Sequence, residues 1–452
     1  MEAEKAGIPA VVVTTTGFSV LARFTGRSGG VDDLRIAEYP GPLGIHDASE
    51  IARNIEQALI DPIVAGLSHA PPGALAAGAR HDPREIVFSG TFEDVARHFH
   101  AQAWSDGLPI VPPTIPRVEQ FLRYTDRAPD EAIAVLPSAN LTATPWNIAV
   151  NAVMAGCLPR HLPLLIAAAE ALGEERCSLG NIGSSSGIFP YLLVSGPLAG
   201  QLGIERGAQV ISRGPNPAIG RALGLMIRNI AGFRPGTSYM GTFGYPLGIA
   251  LAEHETTPWA PFHVDEGYAT GASTVTIGVT NNWGSSPSPY DTPDQSGAQV
   301  ALELLCREVT KKTRLFNFPA RGPDAEKVML TLLLSPPVAR SLADAGYSKA
   351  DVRRYVHEHA TLPLREYDWI LKYTATMRTT ARERVAAGVL PPEFAGAPDD
   401  RVRVLSGPEV LHIVVCGDPH RNRVMVMEGG HTQPTTKEIR LPAKWDELLR
   451  EA

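Results

Sequence analysis

Apolar positions along the chain follow two patterns. Runs in which nearly every residue is apolar or β-branched recur at 10–15 (AVVVTT), 191–195, 275–279, 328–335 and 411–416. Such runs predict strands covered on both faces. Between them lie stretches with helical spacing. Ile51, Ile55, Leu59 and Ile63 or Val64 fall near every fourth position over 48–65, which predicts one helical face. Helices are also expected over 18–24, 118–124, 299–310, 348–359 and 367–386. The chain therefore opens with a strand at 10–15, a helix, a strand at 33–39 (DLRIAEY), a Pro-Gly turn and the 48–65 helix. That order is a small parallel β-α-β-α unit. Residues 68–83 are rich in Pro, Ala and Gly and read as a linker. A short strand is expected at 86–89. Thr91, with Asp94 three residues on, is a capping pair for a helix reaching Trp104. The expected fold is α/β: a module over 1–67, a linker over 68–83 and a larger α/β domain over 84–452.

A repeat is visible inside the larger domain. LLVSGPLAGQL at 192–202 aligns with LLLSPPVARSL at 332–342. Each is an apolar strand, then Ser-x-Pro, then a helical start, so two similar halves are expected. The domain is organised around residues 146–235. A helix of small residues (WNIAVNAVMAGC) ends at Cys157, and a Gly/Ser loop (GNIGSSSG) follows. Then come a buried strand and a second helix carrying Asn216 and Arg221. An apolar frame with polar groups at its element ends is how a pocket is usually built.

Charge narrows the partners. Forty-one basic residues face 48 acidic ones, a net −7, and no basic stripe occurs. Nucleic acid and anionic membranes are therefore not expected as partners. No apolar run is long enough to span a bilayer. The four cysteines are widely spaced and form no C-x-x-C, which points to a reducing cytoplasm. An α/β chain of this size commonly forms a homodimer.

Several groups are candidates for chemistry. Asn151 could line a pocket from its helix. Gly183, Ser184 and Ser185 sit in the 180–187 loop, which could form a backbone nest for a carboxylate or phosphate, or be a plain flexible connection. Arg221 lies among small and apolar residues and needs a partner, either a substrate carboxylate or a structural acid; Asn216 would share that site. Glu253, His254 and His263 flank Trp259 and could act as acid/base groups or hold a divalent metal. Their spacing matches no closed zinc set, and Pro258 stands where H-E-x-x-H needs its second His. No metal site is expected. Cys416 ends an apolar strand, where α/β folds place ligands, and is a better reactive-thiol candidate than Cys306 in mid-helix. Cys157 sits at a helix C-terminus, whose partial negative charge disfavours a thiolate.

EAEKAGIPAVVVTTTGF and DDLRIAEYPGPLG, within roughly the first seventy residues, resemble the UGSC family of bacterial (seleno)proteins. The family resemblance implies selenocysteine or cysteine followed by Gly-Ser-Cys, just before a helix leading into the Gly-Ile-Pro strand. The module is similar in turn to parts of the selenoprotein subunits of glycine and proline reductases. WSDGLPIVPPT, AVNAVMAGCLP, LLVSGP and AIGRALGLMIRNIAG resemble the large domain that accompanies such modules. No Cys-Gly-Ser-Cys occurs in the chain. The redox motif is therefore expected upstream of Met1, with Met1 not the natural start, and no other cofactor is expected. The sheet edge beside 10–15 is expected to be uncovered. The function this implies is a thiol- or selenol-dependent oxidoreductase, or a subunit of one, acting on a small anionic metabolite, with a small thiol redox protein as partner. Two alternatives stand beside it. One is a non-redox hydrolase or lyase using Glu253, His254 and His263. The other is a non-catalytic binding subunit of a redox complex.

Overall fold

A computed structural model describes residues 2–41, 43, 46–69, 82–183, 187–242, 247–280, 283–284, 286–312, 318–327, 329–373, 377–429 and 433–451. The N-terminal module pairs β1 (Val12–Thr15) with β2 (Ile36–Tyr39) in parallel, Val12 opposite Ile36. The helix Ser19–Ser28 makes the crossover. A second helix begins at Ala48, where the Asp47 side chain accepts the Glu50 N–H. It runs through a π turn (Ile55–Leu59) into Ile60–Ser68. Ala37, Tyr39 and Leu59 form the buried centre, with Val11, Ile51 and Ile63 around them. The run at 10–15 was expected to be covered on both faces. Instead Val13 stays 51% exposed. Among the described residues β1 pairs with β2 alone, which leaves the outer edge of the strand unpaired, and Val13 is only partly covered on the face it shares with Ala37.

Residues 70–81 of the linker lie outside the described residues. Residues 86–89 do not form the expected strand: they pair with no neighbour among the described residues, and Ile86, Val87 and Phe88 are exposed. Thr91 and Asp94 form the expected capping box for Phe92–Ala101.

The rest of the chain begins with a hairpin of β3 (Ala134–Leu136) and β4 (Leu141–Ala143). β5 (Phe189–Ser195), β6 (Ile249–Ala252) and β7 (Thr274–Thr280) follow. Next are β8 (Leu330–Leu334) and the antiparallel pair β9 (Thr361–Pro363) and β10 (Arg401–Arg403). Last come β11 (Leu411–Val415), β12 (Val424–Glu428) and β13 (Thr435–Glu438). Two mixed sheets result, ordered β13-β7-β5-β6 and β11-β8-β12. In each, the central strand has one parallel and one antiparallel neighbour: β5 has β6 and β7, and β8 has β11 and β12. The sequence repeat is thus a repeat of topology. Val194 lies opposite Ala252 as Leu334 lies opposite Val415. The next residues, Glu253 and Cys416, occupy matching places, and each donates its backbone N–H to the central strand at 2.9 Å.

Side-chain alternation explains why these strands are apolar on both faces. Leu192, Val194, Ala250 and Ala252 turn toward helices Pro145–Ala155, Leu162–Leu172 and Asn216–Asn229. Leu332, Leu334, Ile413 and Val415 turn toward Gly297–Lys312, Pro336–Asp344 and Lys349–His359. The remaining faces meet: Tyr191, Leu193 and Leu251 pack on Leu333, Val414, Met425 and Met427. The Tyr191 hydroxyl reaches Thr331 Oγ1 across this seam at 3.1 Å. The layers run helix, sheet, sheet, helix. Gly220 lets its helix close on the entry to β6, since a Cβ there would lie 2.4 Å from Gly248 O.

After β12 the chain returns to the first sheet. β13 pairs antiparallel with β7, and Trp445 and Leu448 of the final helix complete the first core. The helix expected over 367–386 is split into Leu364–Tyr373 and Ala381–Ala386, the second restarted by a Thr380 capping box. No helix among the described residues is long and apolar enough to cross a membrane.

Candidate functional site

Thr144 and Asn147 cap the helix Pro145–Ala155 reciprocally, by backbone N–H donations at 3.3 and 2.9 Å. This fixes which face the helix presents. Trp146, Val150, Asn151 and Met154, spaced by one helical turn, form one wall of a cavity of about 910 Å³. Residues 83–90 and Phe92, Phe99 and Trp104 form a second wall, and 112–117 a third. Val95, Leu141, Asn147, Asn229, Ile230 and Arg234 complete the lining.

The walls are mainly apolar, with Arg84, Glu85 and Arg117 on the second and third walls and a linked polar pair at Asn151 and Asn229. Asn151 Nδ2 donates to Asn147 O at 2.8 Å, and Asn151 Oδ1 accepts from Asn229 Nδ2 at 2.8 Å. Asn229 Nδ2 also donates to Trp104 O at 2.9 Å. These contacts fix both amide orientations and leave Asn229 Oδ1 buried without a partner. Arg234 has no carboxylate partner among the described residues, and its Nε is buried and unbonded. Burial pulls its pKa below the ordinary arginine value. A half-buried, uncompensated guanidinium in an apolar cavity attracts an anion. Arg84, on the exposed wall, lies 4.8 Å over the Trp146 ring.

The sequence candidates separate into three groups. Asn151 lines the cavity. Gly183 lies behind the Arg234 turn, where a Cβ would come within 2.6 Å of Ser238 O; Ser184 and Ser185 lie outside the described residues. Asn216 and Arg221 are committed to structure. Asn216 Oδ1 accepts from Glu205 N at 2.9 Å, and its amide donates to Glu205 O at 3.0 Å and Val210 O at 2.5 Å. Of the two partners expected for Arg221, a substrate carboxylate or a structural acid, the structure supplies the acid. Arg221 Nε and Nη2 donate to the two Asp106 oxygens at 2.8 Å each, with Leu108 O at 3.2 Å. Burial raises the Asp106 carboxyl, but the hydrogen bonds and charge of Arg221 outweigh this and hold it below the usual range. Arg228, on the same helix face, donates to Ala103 O at 3.3 Å. Both arginines anchor the loop that follows the Phe92–Ala101 helix.

The third group meets at the carboxyl ends of β5, β6 and β11. Ser195 Oγ donates to Glu253 Oε2 at 2.6 Å and lies 2.7 Å from His263 Nδ1. Phe262 N–H donates to Glu253 at 2.8 Å, and His263 Nε2 is 3.2 Å from Thr270 O. His254 N–H donates to Val415 O at 2.7 Å, joining the two sheets. Burial pushes the Glu253 carboxyl up. Burial, then the Glu253 charge, pushes the Cys416 thiol up to about 12. Ser195, Glu253, His263 and Cys416 are all buried, bond one another or the backbone, and do not line the cavity. Among the described residues no three His, Cys, Asp or Glu are arranged to hold a metal ion.

Sequence reasoning missed Ser195, Asn229 and Arg234. Ser195 was visible as the Ser of the repeated Ser-x-Pro. Arg234 and Asn229 lay inside the 146–235 stretch, but nothing local marks an arginine as lacking an acid.

The N-terminal module abuts the cavity rim. Asn140 Nδ2 donates to Ser28 O at 3.3 Å, and the next residue, Leu141, lines the cavity. The Phe24 ring lies against Gly232, where a Cβ would sit 2.9 Å from it, two residues before Arg234. The molecule is thus an α/β protein with an apolar cavity, an arginine at its lining and a separate βα module at its rim. Residues 1–69, which contain that module, match the model of the UGSC family. No curated protein and no solved structure matches the chain.

Proposed function

We propose that the chain supplies the substrate site of a thiol- or selenol-dependent oxidoreductase, and that its cavity binds a small organic anion through Arg234. The observation that carries this reading is the Arg234 guanidinium, without an acid partner among the described residues, in a mainly apolar cavity. An anion there recovers the cost of desolvating the cation. The contact between the UGSC-matching segment and the cavity rim supports a redox group acting at this site. The reactive group is not one of the four cysteines. Burial pushes Cys157, Cys177, Cys306 and Cys416 up to about 12, so all are thiols at neutral pH. The Sec/Cys-Gly-Ser-Cys motif implied by the UGSC resemblance, re-reduced by a small thiol protein, would provide it. Four free, buried cysteines support a cytoplasmic setting. A hydrolase built on Glu253, His254 and His263 has less support, because Glu253 and His263 are closed off from the cavity.

The test is calorimetric titration of the whole chain with small carboxylates. Binding is expected, and Arg234→Gln should weaken it about 10- to 100-fold, the loss of one charge-assisted contact. Equal affinities in the two proteins would overturn the reading, as would the failure of every carboxylate to bind.

A further inference from the structure

We infer that the ligand of this cavity is an aromatic carboxylate, with its ring held among the cavity's aromatic side chains and its carboxylate at Arg234; the inference rests on the anion-site reading above. Five of the 27 lining residues, Phe88, Phe92, Phe99, Trp104 and Trp146, are aromatic, against 7% of the whole chain. The enrichment is local to the cavity and needs a cause there.

The rings are held at set angles by their neighbours. Trp104 stands edge-on to Phe99 with centroids 5.3 Å apart and planes at 82°. His98 stacks on Phe88 at 4.4 Å and 10°, and meets Trp104 edge-on at 5.7 Å. Such a lining presents ring faces and ring edges in fixed directions. An aromatic ring gains from both, because its own positive edge and negative face can be matched to them. A saturated chain of equal size gains only burial. Phe88 and Phe92 remain 38% and 50% exposed, so the lining keeps aromatic surface uncovered.

The positions of the charges agree. Arg84 already covers the Trp146 ring from the 83–90 wall, and the exposed Arg117 donates to Pro112 O at 3.1 Å, which leaves Arg234 as the half-buried lining cation with neither an aromatic nor an acidic partner among the described residues. A ligand with one carboxylate and one apolar ring meets both demands.

The experiment compares 3-phenylpropionate with 3-cyclohexylpropionate by calorimetry on the full chain. The two have the same charge and linker and nearly the same shape, and differ in aromaticity. The phenyl acid is expected to bind at least about fivefold tighter. Phe92→Leu should reduce that preference to about twofold or less, while thermal unfolding stays unchanged because Phe92 is half exposed. Trp104→Leu should have the same effect on the preference. Equal binding of the two acids, or tighter binding of the cyclohexyl acid, with both weakened in Arg234→Gln, overturns the aromatic inference and leaves the anion site standing. Failure of both acids and of straight-chain carboxylates to bind overturns the anion site as well. An undiminished phenyl preference in Phe92→Leu and Trp104→Leu also overturns the inference.

Discussion

Replacing Arg221 by Met should cost stability and leave ligand binding intact. Arg221 and Asp106 are joined by two hydrogen bonds of 2.8 Å, with side chains 16% and 5% exposed. Met keeps the apolar stem and removes the guanidinium. The Asp106 carboxylate then retains the Leu108 N–H at 3.2 Å but loses its counter-charge. Breaking a buried pair from one side costs about 3–5 kcal/mol. The partial exposure of Arg221 favours the low end, about 3 kcal/mol. With a urea slope of about 3 kcal/mol/M, the midpoint should fall by about 1 M. Adding Asp106→Leu removes the stranded charge, so the double variant should be more stable than Arg221→Met alone. The assay is urea unfolding followed by tryptophan fluorescence. An Arg221→Met midpoint within about 0.2 M of the parent would refute the structural role. Loss of anion binding at unchanged stability would return Arg221 to the site.

Other outcomes follow from the buried groups. Burial raises the Glu253 carboxyl above its ordinary value of 4.5, so the stability tied to its proton is present below that value and lost as pH rises through the folded value. Glu253→Gln should therefore gain stability relative to the parent as pH rises above 4.5, and parallel thermal profiles would refute this. Burial lowers His161 to about 4 and His412 to about 3, from 6.5. For both, stability is present above pH 6.5 and lost as pH falls. At pH 5 each should cost about 2 kcal/mol, and a melting temperature unchanged from pH 7 to pH 5 would exclude it. In the native chain none of the four thiols should react promptly with a disulfide reagent, whereas all four should in urea; a fast native reaction would contradict their burial.

The strands at 189–195, 274–280 and 411–415 were legible because helices cover one face of each and the opposing sheet or its connections cover the other. The Ser-x-Pro repeat was legible for the same reason, since both copies make a central strand with the same neighbours. The run at 10–15 misled because β-branched residues look alike whether or not a second face is covered. Arginine assignment failed on distance. Asp106 is 115 residues from Arg221, and local context around Arg221 and Arg234 is similarly apolar. The Ser195–Glu253–His263 contacts span 58 and 68 residues, beyond what any spacing rule reaches. The helix at 367–386 failed where a stretch rich in threonine interrupts it, and Thr380 offers a new start.

The return of β13 and the final helix to the first sheet sets an order of assembly. During synthesis, residues 134–280 emerge first, yet their core lacks Trp445 and Leu448 and their β7 edge lacks β13 until the chain is nearly finished. Residues 297–428 hold their own sheet and core and emerge complete before that closure. The later-made half can therefore mature first and serve as a template, its Leu333, Val414 and Met425 face ready to receive the earlier half. A chain cut between β12 and β13 would keep every strand of the β11-β8-β12 sheet while its ligand-binding half stayed unsealed.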